Sequence, residues 1–270
     1  MLIDTHCHLD AAEFDADRDA VISQTLRGGV SCIVVPAVAR ENFDSVINLA
    51  SLYKHCAYAL GIHPMYVDKA SADDIQVLDT YVSAHQPVAI GEIGLDYFAI
   101  NRQTDPEHIA RQTYFFTEQL KVAGRYDLPV LLHVRNAIDD ILKYLRRHQV
   151  VGGIAHAFNG SFQQAEQFIS MGFKLGFGGA MTYDRALRIR ELAARLPLEA
   201  IVLETDAPDI PPEWVGKHGR NSPAELPRIA QILADIRQVS VSQVVDITSA
   251  NALKTLPKLA YLCTPVKVAL

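Results

Sequence analysis

Short apolar, β-branched runs alternate along the chain with longer stretches whose apolar residues recur every three or four positions. The runs predict strands over residues 2–6, 32–35, 57–61, 88–91, 130–133, 153–156, 173–177 and 201–204. The intervening periodicity predicts helices, most clearly over 105–126 and 138–148, and two more over 224–237 and 241–256 follow the last strand. Regular strand–helix alternation implies parallel strands joined by crossover helices. Eight such units in 270 residues favour a closed (β/α)8, or TIM, barrel forming one domain over 1–270; an open doubly wound sheet is the alternative. No internal repeat, low-complexity segment or Gly/Ser linker divides the chain, and the proline-rich stretch 207–212 reads as a loop after the last strand.

Composition narrows the class without naming the chemistry. A 49% hydrophobic chain of this length can bury a large core, and a formal net charge of −6 argues against a broad basic surface for nucleic acid, so any phosphate would be met by a local cluster or by metal ions. The four cysteines, Cys7, Cys32, Cys56 and Cys263, form no CxxC pair and no evident disulfide framework. The first ten residues, MLIDTHCHLD, lack the basic and apolar regions of a signal peptide, and no apolar run approaches the roughly 20 residues of a membrane helix. A reduced cytoplasmic setting without membrane contact is the simplest expectation.

The polar residues that interrupt the strand pattern are concentrated at one edge. In a strand, residues two apart face the same side, so His6 and His8 are expected to point inward together while Cys7 packs outside. His-x-His alone is a weak signal. Glu92 follows the fourth strand, His133 and His156 end the fifth and sixth, and Asp206 follows the eighth. That C-terminal rim is where barrel enzymes carry their reactive groups. One buried histidine is usually structural. Four histidines and two carboxylates on a shared rim are costly to desolvate unless cations sit among them. His6, His8, Glu92, His133, His156 and Asp206 are therefore expected to hold two divalent metal ions.

Other polar residues read differently. His63 ends the third strand and is expected to touch substrate or support a ligand. His55, His85, His108 and His148 fall in or beside helical stretches and suit solvated surfaces; His218 lies in a loop. Asp4 shares the parity of His6 and is expected to orient a ligand imidazole; for Glu204 that role and a plain buried hydrogen bond are equally open. Tyr97 and Phe98 can stack on a base or merely pack a loop, and loop packing is preferred. The remaining cysteines are expected to act as small apolar fillers.

Six segments, DTHCHLD (4–10), GIHP (61–64), GEIGLDY (91–97), PVLLHVR (129–135), IAHAFNGS (154–161) and ETDAP (204–208), make the chain resemble the TatD-type metal-dependent deoxyribonucleases of the amidohydrolase-like barrels. GFGGAMTYDRA (176–186) is closer to the uncharacterised hydrolase branch of that family. The resemblance covers nearly the whole chain. It implies that His6, His8 and Asp206 hold one metal, that His133 and His156 hold the other, and that Glu92 bridges them. It also implies DNA or another phosphodiester as substrate, and a phosphate contact from Arg135 in its His-x-Arg segment. The nitrogen-rich ligand set suits Zn, Mn, Fe or Ni and the resemblance adds Mg, so Zn, Mn or Mg is the cofactor expected. The family's late GxRNEP motif reads Gly219-Arg220-Asn221-Ser222-Pro223 here, so Ser222 stands where a glutamate is usual. Phosphotriesterase-type relatives bridge their metals with a carbamylated lysine; Glu92 at that position favours the nuclease-like branch.

On this reading water activated by two metals attacks a phosphoric ester, with Asp206 as the proton acceptor and His63, Arg135 and Arg220 as substrate contacts. The same centre acting on an amide, a lactone or an aminoacyl-tRNA ester is the second possibility, and a non-catalytic metal- or nucleic-acid-binding protein the third, which the full ligand set disfavours.

Overall fold

The computed structural model describes residues 1–98 and 105–262. Among these residues eight strands form one sheet in the order β1 to β8. They are β1 (Leu2–Asp4), β2 (Val30–Pro36), β3 (Cys56–Leu60), β4 (Ala89–Asp96), β5 (Val130–Arg135), β6 (Gly153–Ala155), β7 (Phe173–Phe177) and β8 (Ile201–Leu203). Every neighbouring pair is parallel.

The sheet closes just past its strand ends. Thr5 N–H donates to Leu203 O (3.1 Å), Asp206 N–H to His6 O (2.9 Å) and His8 N–H to Ala207 O (2.7 Å). Asp4 completes this seam: its carboxylate accepts from Thr205 N–H at 3.0 Å and from the Thr205 hydroxyl at 2.6 Å. Its other partner is the backbone N–H of His6 (3.3 Å), so Asp4 joins the first strand to the last and does not orient a ligand imidazole as expected.

Helices α1 (Arg18–Arg27), α2 (Phe43–Leu52), α3 (Asp73–His85), α4 (Pro106–Arg125), α5 (Ile138–Leu145), α6 (Phe162–Ser170), α7 (Leu187–Arg195) and α8 (Leu226–Arg237) each follow a strand. Local sequence sets their starts. Asp105 caps α4 by accepting from His108 N–H at 3.2 Å, with Pro106 at the first helical position. Ser161 and Gln164 form a capping box at α6. Two further helices, α9 (Val241–Thr255) and α10 (Leu259–Leu262), cover the opposite end of the barrel from the polar rim. There Ser249 donates to Met1 O, Asn251 to Ile201 O and Lys258 to Pro87 O, all at or before strand starts.

The core has two layers. Ile3, Val34, Leu131, Ile154 and Val202 fill the barrel interior against Ala252 of α9 and Leu256 just past its end, while Phe43, Phe115, Phe116 and Phe168 fill the space between strands and helices. Cys7 and Cys56 are buried free thiols, as fillers should be. Cys32 departs from that expectation, being disulfide-bonded. No helix among the described residues is long and apolar enough to cross a membrane.

The main departure from the sequence pattern is β4. It runs to Asp96 instead of stopping at 91, because Gly94 pairs with His133 and lets the two strands stay close. A Cβ built on Gly94, whose φ is +152°, would lie 2.0 Å from His133 O. The extension puts Glu92 and Asp96 on the same inward-facing parity.

Candidate metal centre

Six strand ends deliver the polar side chains to one point at the C-terminal rim. Glu92, from β4, is 2% exposed. Its Oε2 lies 3.2 Å from His6 Nε2 and 3.4 Å from His8 Nε2, both from the segment after β1. Its Oε1 lies 2.8 Å from His133 Nδ1 on β5, 2.8 Å from His156 Nε2 after β6 and 3.4 Å from His63 Nε2 after β3. Asp206, after β8, brings Oδ1 within 3.7 Å of His6 Nε2 and 3.8 Å of His8 Nε2. Its φ of +56° is left-handed backbone for a non-glycine residue, the local strain common where a fold fixes a functional side chain. The Gly91–Glu92 and Ala207–Pro208 peptide bonds are cis.

Two short imidazole sets therefore meet the two oxygens of one carboxylate, and burial shapes their charge. Burial, with the nearby His156, pushes His6 down to about 3, so it is neutral near pH 7. Burial also opposes charge on His8, yet its bond to Glu92 and the charges of Glu92 and Asp206 push it up to about 9. Burial raises Asp206 to about 6. Five imidazole nitrogens lie within 3.4 Å of one carboxylate; each that carries no proton turns a lone pair toward the lone pairs of an oxygen, which the carboxylate cannot satisfy because it only accepts hydrogen bonds. Cations among them resolve the conflict, and nitrogen and carboxylate donors suit divalent transition metals. Among the described residues the groups able to surround an ion are His6–His156–Asp206, His6–His8–Glu92 and His63–Glu92–His133. The buried Nδ1 atoms of His6 and His156 and the Oε2 of Glu204 have no hydrogen-bond partner among the described residues.

The six predicted ligands thus lie together, and His63 lies with them. Asp96 was not anticipated. Its Oδ2 lies 3.0 Å from His133 Nε2, and its Oδ1 accepts from Phe98 N–H at 2.9 Å. The available signal was its two-residue parity with Gly94 and Glu92, hidden by ending the strand at 91. Glu204 Oε1 accepts from Ala157 N–H at 2.5 Å and stands 3.8 Å from His156 Nδ1, so it is a charge neighbour of that ring and not a hydrogen-bond partner.

The site opens into a cavity of about 1240 Å³, whose walls include Arg135, Asn136, Asn159, Ser161 and Arg188. The Arg135 guanidinium lies over the exposed Phe98 ring, 3.7 Å from its centroid, while Tyr97 is buried. Arg188 donates Nε and Nη2 to Asn159 Oδ1 at 3.0 and 2.7 Å. Arg220 is placed elsewhere. It makes a two-pronged pair with Asp17 (2.8 and 2.7 Å) and does not line the cavity, so the expected substrate contact from it is set aside. Asn221 beside it is fully buried and donates to Thr205 O (2.7 Å) and Asp209 O (2.9 Å), fixing the loop that carries Asp206. Ser222 Oγ accepts from Ala224 N–H at 3.2 Å, so the residue that replaces the family glutamate caps a helical turn.

Residues 3–257 match the family described as TatD related DNase. An uncharacterised metal-dependent hydrolase, YjjV of Escherichia coli, is 41% identical over 92% of this chain and 95% of its own. The human deoxyribonuclease TATDN3 is 31% identical over 97% of this chain and 96% of its own. The crystal structure of E. coli YjjV superposes with a TM-score of 0.89 at 39% identity, covering 95% of this chain and 98% of that one. An organophosphorus hydrolase from Deinococcus radiodurans shares the fold alone, at 14% identity and a TM-score of 0.63 over 94% of this chain and 92% of that one. The chain belongs to the TatD-related DNase family and is a metal-dependent hydrolase.

Proposed function

We propose that the chain hydrolyses phosphodiester bonds of DNA at a centre of two divalent ions. His6, His8 and Asp206 hold one, His133 and His156 the other, and Glu92 spans both. The observation that carries this reading is the division of Glu92: Oε2 faces His6 and His8, and Oε1 faces His133 and His156. Among Zn, Mn and Mg, the nitrogen-rich donor set favours the first two.

When bound, such ions supply positive charge that offsets the charge developing on a phosphodiester and lower the pKa of attacking water. The chain's own groups do the rest. Asp206, within 3.8 Å of both His6 and His8, accepts the water's proton. Arg135, held over Phe98, offers two parallel donors to non-bridging phosphate oxygens. His63 Nδ1 accepts from Met65 N–H at 3.1 Å, which leaves Nε2 as the proton-bearing nitrogen; it faces Glu92 Oε1 at 3.4 Å on the cavity wall, where a substrate oxygen can compete for its proton.

The cavity supports a polymeric phosphate substrate. It exceeds the roughly 300–1,000 Å³ of small-molecule sites. Asp10, Glu13, Asp139 and Asp209 also reach its walls, so an anion is drawn by the centre and the two arginines and not by a general positive field.

The test is turnover of single-stranded DNA, duplex DNA and a generic phosphodiester with Zn, Mn and Mg in turn, alongside an amide, a lactone and an aminoacyl-tRNA ester. Cleavage of DNA above the generic phosphodiester supports the proposal. Turnover confined to the non-phosphate substrates would replace it with the second reading.

A further inference from the structure

The rim histidines differ in what holds their far nitrogen, and this decides what each can present to the centre. At His133 the far nitrogen, Nε2, lies 3.0 Å from a carboxylate oxygen of Asp96, while Nδ1 lies 2.8 Å from Glu92 Oε1. At His63 the far nitrogen, Nδ1, accepts from a backbone N–H, and Nε2 lies 3.4 Å from the same Glu92 oxygen. A neutral imidazole carries one proton. A carboxylate behind the ring draws that proton to the far nitrogen and leaves the near one with its lone pair. A backbone N–H behind the ring does the reverse.

We propose that Asp96 is a positioning residue that fixes His133 as a lone-pair donor through Nδ1, and that the cation place beside Glu92 Oε1 is completed by His133 and closed to His63. The inference rests on the two-ion reading above. It also overrides distance alone, by which His63, Glu92 and His133 form a possible ligand group.

Asp96 is built for this task. It is 6% exposed, and its backbone is gripped on both sides by Gln112 of α4, which accepts from Asp96 N–H at 2.9 Å and donates to Asp96 O at 3.1 Å. Its two carboxylate oxygens serve two donors, Phe98 N–H on Oδ1 and His133 Nε2 on Oδ2. An asparagine has one oxygen and cannot serve both. The backbone N–H of Phe98 cannot change role, so the amide oxygen stays with it and the NH2 group turns to His133. That group needs an acceptor, so Nε2 gives up its proton and Nδ1 gains one. His133 then loses the lone pair it would offer to a metal.

The experiment titrates metal-free wild-type protein, Asp96→Asn and His63→Ala with Zn2+ against a chromophoric chelator, and reads the His133 tautomer by long-range 15N–1H NMR in the zinc-loaded wild type. Asp96→Asn is expected to weaken one of two zinc sites by about 10–100-fold and leave the other unchanged. His63→Ala is expected to keep both affinities within about threefold, small beside the 10–100-fold expected for a disturbed ligand support. The wild-type spectrum is expected to show the His133 proton on Nε2. Wild-type affinity at both sites in Asp96→Asn, loss of a site in His63→Ala, or a His133 proton on Nδ1 would each overturn the inference. If Asp96→Asn does not fold, the wild-type tautomer and His63→Ala still decide it. Wild-type protein that takes up only one ion would sink the two-ion reading instead, and the His133 tautomer would then judge the role of Asp96 separately.

Discussion

Gln119 offers a quantitative check on how α4 holds the rim. Its amide is fully buried and grips one residue at both backbone groups: Oε1 accepts from Ile62 N–H at 2.7 Å, and Nε2 donates to Ile62 O at 3.0 Å. Ile62 is itself buried and immediately precedes His63. Leucine at position 119 fills a similar volume but leaves both groups of Ile62 without these bonds. Each buried backbone group left unpaired costs about 1–3 kcal/mol, giving about 2–6 kcal/mol for the pair. Better burial of leucine offsets part of this, so a loss of about 2–5 kcal/mol is expected. Urea unfolding of metal-free wild type and Gln119→Leu, with equal slopes required, measures it. Because the loop carrying His63 is freed, KM for a phosphodiester should rise while the affinity for zinc holds. A loss below about 1 kcal/mol would mean that water satisfies Ile62 and that the clamp does not position the site.

The remaining predictions concern the centre itself. Asp206→Ala should lower turnover by at least about 100-fold, since one change removes a ligand and the base, with circular dichroism unchanged; retained turnover refutes both roles. Arg135→Lys should cut kcat/KM on phosphodiesters by about tenfold at fixed ionic strength, leaving metal content and Tm as they were, because lysine cannot make the parallel pair of bonds. Zinc affinity should rise with pH up to about 9, by about tenfold per unit for each proton expelled, since His8 is protonated below that point in the metal-free state. The metal-free protein should show the opposite trend. A histidine raised from 6.5 to about 9 stabilises the fold below 6.5, and that contribution is lost as pH climbs to 9, so urea midpoints with and without zinc should diverge across this window. Gly94→Ala should fail to fold or fail to take up metal, measured by soluble yield and zinc content, because its Cβ would lie 2.0 Å from His133 O.

Much of this architecture is legible in the sequence because parallel strands buried on both faces appear as uninterrupted apolar runs, such as Val130 to Leu132, and the polar residue ending each run marks the rim. The six expected ligands lie at one point for that reason. Boundaries are less legible where glycine replaces apolar residues. Gly91 and Gly94 break the run of β4, so the strand seems to end before Glu92, and Asp96 is missed with it. Residues whose partners come from distant segments escape local reading altogether. Asp4 has the parity of a ligand support, but Thr205, 201 positions away, occupies both of its carboxylate oxygens. Arg220 has the motif of a phosphate contact, but Asp17 of the loop before α1 claims it.

The centre draws one or more groups from six of the eight strand ends, and the outermost of them, His6 and Asp206, stand 200 positions apart in the chain. An ion shared among them acts as a removable cross-link that closes loops spanning most of the polypeptide. Since the open chain cannot assemble that donor set, ion binding weights the folded state alone, by about 2.7 kcal/mol when free metal is a hundredfold above its dissociation constant. Metal supply then governs how long the molecule survives as well as how fast it works, and starvation for the ion would show first as turnover of the protein by proteases.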